Sequence, residues 1–240
     1  MEDWKQAFWL AKFELKASAQ NILIYLFVLG GVTLFFVTSL DSYLENNYVG
    51  FDLFFILALV FLSGSGRPRN FAYQKINSDL RGAPGTIMLK QLPVKHSTIN
   101  RSRLIIHFFS ALPFQLFFLI ILYLLNPALQ SELSLSSYLT FLVIWLSFGV
   151  YAGASVPAAD TGDRMKNYQM AVLLFFAFLI ITAFITAIQL IGNYGIVQWT
   201  IIAAQKWPWI SAITSILLAI IGFKYWENYM KKTINNLDYL

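Results

Sequence analysis

Six apolar stretches divide the chain, at roughly 21–40, 50–66, 104–125, 138–159, 170–191 and 208–226. Each approaches the ~20 consecutive apolar residues that a helix needs to cross a bilayer core. The pattern predicts an all-α integral membrane protein, a single 1–240 transmembrane domain of six helices. The second stretch is the shortest, and the sixth fades gradually into a polar tail. No interval between them holds a soluble domain.

The polar intervals carry the orientation. Lys5, Lys12 and Lys16 precede the first stretch. Arg67, Arg69, Lys75, Arg81, Lys90, Lys95, Arg101 and Arg103 lie between the second and third, with Asp79 as the one acid among them. Arg164 and Lys166 follow the fourth, and Lys224, Lys231 and Lys232 close the chain. The alternate intervals hold Asp41 and Glu45, then Glu132, then Lys206. Of the 17 basic residues, only Lys206 falls on the second side. Short cytoplasmic loops are enriched in Lys and Arg, so both termini are expected in the cytoplasm, as an even number of spans requires.

Two segments flank this plan. Residues 1–20 place Trp4, Phe8, Ala11 and Leu15 on one helical stripe and Lys5, Lys12 and Lys16 on the next, which fits an interfacial helix on the inner leaflet as well as a plain cytoplasmic extension. Glu2, Asp3 and Glu14 within it, and the late apolar run, argue against a signal peptide. Residues 193–207 are expected outside, yet carry Ile196, Val197, Trp199, Ile201 and Ile202. A re-entrant element and an interfacial helix anchored by Trp both accommodate them.

Composition agrees with lipid as the solvent: 58% of residues are hydrophobic and 12% charged, against about 25% charged in a soluble domain. The net charge of +5 lies beside the apolar stretches, so no nucleic-acid partner is expected. With no Cys and only His96 and His107, neither a disulfide nor a thiolate or histidine metal centre is expected.

Few residues in the chain suit catalysis. Gly64-Ser65-Gly66 lacks the Lys-Ser/Thr of a phosphate-binding loop and reads as a helix end. No H-E-x-x-H, G-x-S-x-G or paired intramembrane carboxylates occur. Asp52 stands at the start of the second span, near its outer end. His107 with Ser110 three residues on has no orienting acid, so no catalytic residue is assigned. The mid-span polar residues are mild, namely Thr33, Ser110, Gln115, Ser147, Ser155, Thr182, Thr186 and Gln189. Of these, Ser110, Gln115, Thr186 and Gln189 are the candidates for a substrate pathway. An ion-coupled carrier would keep charges there, so energy for transport has to come from another subunit. Gly149 and Gly153, four apart, allow close helix packing, within one subunit or across a dimer.

The interval 67–103 is too long for a hairpin connection and too short for a domain. Asn77 or Ser78 suits the cap of a short helix starting near Asp79. Gly82, Pro84 and Gly85 interrupt it, a second helical pattern runs through Ile87, Met88 and Leu89, and Leu92-Pro93-Val94 ends that one. Such a loop either docks on a soluble partner or serves as a topology determinant that binds anionic lipid.

Gly85-Thr86-Ile87-Met88-Leu89-Lys90-Gln91-Leu92-Pro93-Val94, followed by Ile99 and Arg103-Leu104-Ile105, resembles the corresponding loop of ABC-2 type transporter permeases. The likeness spans about twenty residues. It departs from the family pattern at Ala83-Pro84, where an acid often precedes Gly-Thr, at His96 in place of Arg, and at Arg103 in place of Lys. The resemblance implies a permease subunit of an exporter in the bacterial cell membrane. Two copies of a separate ATP-binding subunit would carry ATP and Mg, and a second permease subunit would complete a homo- or heterodimer. This chain itself would bind no cofactor. The loop would form a coupling helix, with Asp79, Leu80, Arg81, Gly85, Leu89, Leu92, Pro93 and Val94 at the ATPase contact. Leu80, Leu89 and Leu92 would be its apolar anchors and Arg81 a rim contact. The interfacial N-terminal helix and a re-entrant outer element are also features of that family. The cargo implied is a peptide, peptide antibiotic or lipid-like molecule. The rival readings are an immunity or sensor protein without transport and an intramembrane enzyme.

Because the chain is Cys-free, single cysteines at Asn46, Lys90, Ser134 and Asn236 test the topology. An impermeant thiol reagent on intact cells is expected to label only the Asn46 and Ser134 positions. Labelling of the Lys90 position from outside would overturn it.

Overall fold

A computed structural model describes residues 2–61, 71–77 and 79–237, without the side chains of 19–24 and 61. Within them the chain order is α1 (Glu2–Ala17), α2 (Ala19–Asn46), α3 (Val49–Phe61), β1 (Gln74–Lys75), β2 (Leu80–Gly82), α4 (Pro84–Lys90), α5 (His96–Leu125), α6 (Pro127–Glu132), α7 (Leu135–Gly153), α8 (Ser155–Asp160), β3 (Asp163–Arg164), α9 (Asn167–Gly192), α10 (Ile196–Lys206) and α11 (Pro208–Asn236). Five helical segments are long and apolar enough to cross a membrane: 25–46 in α2, α5, α7 with α8, α9 and α11. This is the architecture of a multi-pass membrane protein. The second expected span is α3, apolar but only 13 residues long as described; its continuation, with Gly64-Ser65-Gly66, Arg67 and Arg69, lies outside the described residues, as does Ser78.

The helices follow from the apolar runs, and polar residues set their ends. Asn126 accepts the Leu129 amide at 2.6 Å and so caps α6, while its side-chain amide donates to the Val37 carbonyl and the Asp41 carboxylate. One Asn thereby ties α2 to the α5–α6 turn. Ser134 caps α7 through the Ser137 amide. Asn47 and Asn193 end α2 and α9 in the left-handed region that Asn tolerates. At the other end of the bundle, β1, β2 and β3 form a small antiparallel sheet in that order, pairing Arg81 with Lys75 on one side and Asp163 on the other.

The core between α2, α3, α5 and α7 is aromatic. Phe36 meets Phe51, Phe55 and Phe118 edge-on at 5.3–5.5 Å, and Phe55 meets Trp145 at 4.7 Å. Lipid tails are as apolar as these side chains, so shape and ring geometry, worth about 0.5–1.5 kcal/mol per pair, decide the packing. Gln115 crosses this core. Its amide donates to the Leu59 carbonyl at 2.8 Å, and a Cβ on Gly149 would sit 2.3 Å from its side-chain oxygen. Gly149 thus makes room for a side chain of the same chain; Gly153 is buried four residues on.

Two expectations change. The segment from Asp79 is not a helix: Leu80–Gly82 is the central strand β2, because its backbone pairs with two neighbours. The connection expected to run to Arg103 ends at Lys95, since α5 starts at His96 and carries Ile99, Arg101 and Arg103. The N-terminal segment is a helix that packs on α5 through small residues, leaving Trp4 and Phe8 of its aromatic stripe exposed. Its buried face is Ala7, Ala11 and Glu14, because small side chains let α1 approach α5 closely. Glu14 there meets Arg103 at 2.6 Å, with both side chains almost fully enclosed.

Removing one partner of such a pair strands the other charge, at a cost of about 3–5 kcal/mol. Glu14→Leu and Arg103→Leu are each expected to lower the melting temperature in detergent sharply, and the double substitution to lose less than either. Additive losses in the double variant would show that the two charges are not coupled.

Candidate functional site

The first candidate is the end of the bundle where the basic segments meet. Two loops far apart in sequence are joined there. Arg81 donates to the Asn167 side-chain oxygen at 2.6 Å and to the Met165 carbonyl at 3.3 Å. Tyr73 donates its hydroxyl to Asp163 at 2.7 Å. Burial first, and then the Asp163 carboxylate beside it, push the Tyr73 hydroxyl well above the usual phenol range, so it stays a donor. The Ala83 amide donates to the Asp160 carbonyl. A Cβ on Gly82 would lie 3.1 Å from the Gly162 Cα, and Gly162 has a φ of 95°, so both glycines are required by the close approach of the two loops.

On this base stands α4. Pro84 occupies its first turn, where a missing N–H costs nothing. Thr86 and Ile87 point inward. Met88 is 67% exposed and Leu92, just past the helix end, 54%. Lys90 donates to the Leu237 carbonyl at 2.7 Å, and His96 pairs with Asn235, so the end of α11 braces the same region. Asp3 near the N-terminus pairs with Lys95 and Arg101; the Lys95 hydrogen bond is the main reason its carboxyl is held below the usual range.

Of the eight residues expected to contact a partner, this geometry leaves a subset available. Leu80 is buried in β2 and cannot anchor anything outside. Arg81 is half-buried and turned onto the 165–167 segment. Asp79 is engaged at the bend before β2. Gly85, Leu89 and Val94 are half-buried, while Pro93 joins Leu92 at the surface. Met88 was not among the expected anchors, although its place one turn after Pro84 was the available signal.

The second candidate is a cavity of about 1110 Å³ between α3, α7, α9, α10 and α11, bordered by Leu57, Phe148, Tyr151, Ile181, Phe184 and Trp199. Several of its polar groups are committed within the chain. The Trp145 indole donates to Thr200, Trp226 to the Tyr151 carbonyl, and the Ser155 hydroxyl to the Ala152 carbonyl. The rest of the lining is mostly hydrocarbon and ring faces, with Tyr151 and Trp199 adding a hydroxyl and an indole N–H, which suits an apolar occupant. The four residues expected to mark a substrate path do not gather here. Gln115 is locked in the core, Ser110 donates to the His107 carbonyl rather than to its imidazole, and Thr186 bonds back to Thr182. Gln189 is half-buried near the end of α9.

The roof of the cavity is α10, a helix and not an exposed loop. Val197, Ile201 and Ala204 are buried against the bundle. Its first turn is held by Asp52, which accepts the Val197 amide and the Tyr43 hydroxyl, both at 2.8 Å, while Tyr43 accepts the Gln198 amide. A carboxylate at a helix N-terminus satisfies orphan amides and complements the dipole. Asp52, expected at an outer interface, is fully enclosed.

Among the described residues no group of three His, Cys, Asp or Glu side chains converges on a metal-sized site. No protein-family model, curated protein or solved structure matches the chain.

Arg81→Ala removes both contacts to the 165–167 segment, a loss of about 1–3 kcal/mol for hydrogen bonds to a charged donor. Amide exchange across residues 80–82 is expected to quicken about tenfold or more. Unchanged protection would show that the loops are held together by β pairing alone.

Proposed function

We propose that the chain is the permease subunit of an ABC-2 type exporter in a bacterial cell membrane. In this reading the basic end faces the cytoplasm, with both termini, and α3 with its continuation completes six spans. Two copies of a separate ATPase, which hold ATP and Mg, dock there, and a second permease subunit, identical or related, completes the assembly. The cargo is hydrophobic or amphipathic, a peptide, a peptide antibiotic or a lipid-like molecule.

The observation that carries this reading is α4. It is a short helix, stiffened by Pro84, packed on α5 and bonded at its flanks to the ends of α8 and α11, yet Met88 on it and Leu92 just after it face outward. Apolar side chains on a braced, solvent-facing helix suit a groove on a soluble partner that pushes. The hydrocarbon lining of the cavity supports the choice of cargo, since a charged substrate would lose its hydration there without replacement. The sides of α9, of which only 6% is buried in its most apolar window, leave room for a second permease as well as for lipid.

Anchors at such interfaces cost about 2 kcal/mol or more when lost, about thirtyfold in affinity. Met88→Asp and Leu92→Asp are therefore expected to abolish co-purification of a co-expressed ATPase partner and its stimulation by cargo, with membrane insertion intact. Leu80→Asp is unsuitable, because it would unfold β2. Wild-type complex yield and coupling in both variants would sink the exporter reading.

A further inference from the structure

We propose that the groove between α1 and α5 is a docking site for one anionic phospholipid. The groove encloses about 670 Å³, with Trp4, Lys5, Phe8, Trp9 and Lys12 on one wall and Ile105 and Phe109 on the other. Its form follows from how α1 is used. Ala7, Ala11 and Glu14 face α5, so the large side chains are left flanking the contact: Phe8 and Trp9 are 52% and 68% exposed.

The charges point to an anion from outside the chain. Lys5 and Lys12 are seven residues apart, two helical turns, and so share one side of α1 about 10 Å apart along its axis. Neither forms an ion pair among the described residues. The acids nearby are committed elsewhere, Asp3 to Lys95 and Arg101 and Glu14 to Arg103; Glu2 alone on α1 is not, and it lies at the exposed first turn.

The groove also sets aromatic faces beside its cations. Arg101 lies over the Trp4 ring at 4.7 Å at one end. Phe8 meets Phe109 edge-on at 6.3 Å further along α5. A phosphate held between two flexible ammonium groups, with a chain lying on Phe8, Ile105 and Phe109, matches both halves. A free phosphate would satisfy the lysines and leave the aromatic wall bare. A zwitterionic lipid would fill the wall and bring its own cation to the lysines. The site is independent of the exporter reading, because none of its residues belongs to α4 or the cavity.

Native mass spectrometry of the delipidated full chain tests this, with phosphatidylglycerol and phosphatidylcholine of identical acyl chains as probes. Wild type is expected to retain one phosphatidylglycerol at least tenfold more tightly than phosphatidylcholine. Lys5→Ala with Lys12→Ala should remove about tenfold or more of that preference, and Lys5→Arg with Lys12→Arg should keep it. Phe8→Ala with Trp9→Ala should weaken both lipids. Lys231→Ala with Lys232→Ala should bind as wild type does. Equal binding of the two lipids by wild type would overturn the assignment, as would an undiminished preference in the Lys5/Lys12 alanine variant. Displacement of phosphatidylglycerol by an equal concentration of inorganic phosphate would make the groove a soluble-anion site instead.

Discussion

Inside a bundle this apolar, no water waits to take up a hydrogen bond, and that constraint organises the structure. Several strongly polar side chains that enter the bundle are used as fasteners between elements distant in sequence. Asp52 and Tyr43 hold the start of α10 against the α2–α3 turn. Asn126 joins α2 to α6, Gln115 joins α5 to the end of α3, and Glu14 with Arg103 joins α1 to α5. The aromatic core supplies shape without direction; the fasteners supply register. A residue that a soluble protein would leave to the solvent is here a specific cross-link, because leaving it unpaired costs more than ordering its partner.

The same constraint explains what was legible in the sequence. Long apolar runs are a one-dimensional signal, so α5, α7, α9 and α11 follow from hydropathy within a few residues at their apolar ends. The buried face of α1 was not legible: its Trp and Phe stripe carried the larger hydrophobic signal, yet Ala7 and Ala11 won the packing because α5 had to come close. Nor was the role of Asp52 visible, since an acid at the start of an apolar helix looks the same whether it meets water or the amides of a helix 145 residues away. The strand at Leu80 was misread for a related reason. Three residues carry no periodicity, and one of the two partners that make them a strand is Asp163–Arg164, far along the chain.

The candidate sites divide along the same line. The helix after Pro84 could be read locally, from Pro at its start and the Leu92-Pro93 break at its end. Which of its side chains face outward could not, because that depends on α5 beneath it. The apolar cavity was out of reach altogether: its walls come from five helices, and its lining residues are ordinary apolar positions in each. Mild polar residues such as Gln115 and Thr186 looked like a path through the membrane, but in an enclosed bundle a lone amide or hydroxyl first satisfies its own surroundings.

The small sheet gives the proposed coupling a physical route. A partner that displaced α4 would act on a body bonded to two places at once. Ala83, at the foot of α4, bonds the end of α8, and Arg81 one residue pair earlier bonds Asn167 at the very start of α9. The close contact of Gly82 with Gly162 leaves no slack between those loops. A push on α4 is therefore passed to the base of α9 as well as to α5. α9 is the least enclosed of the long helices together with α11, so within this chain little holds it against tilting. Its Ile181 and Phe184 form one wall of the apolar cavity, whereas the opposite wall on α7 is fixed by Tyr138, Trp145 and the Gln115–Gly149 contact. Under the exporter reading, motion at α4 widens the space between a loosely held wall and a firmly held one, and the cavity opens along α9 without any break in the polar fasteners of the core.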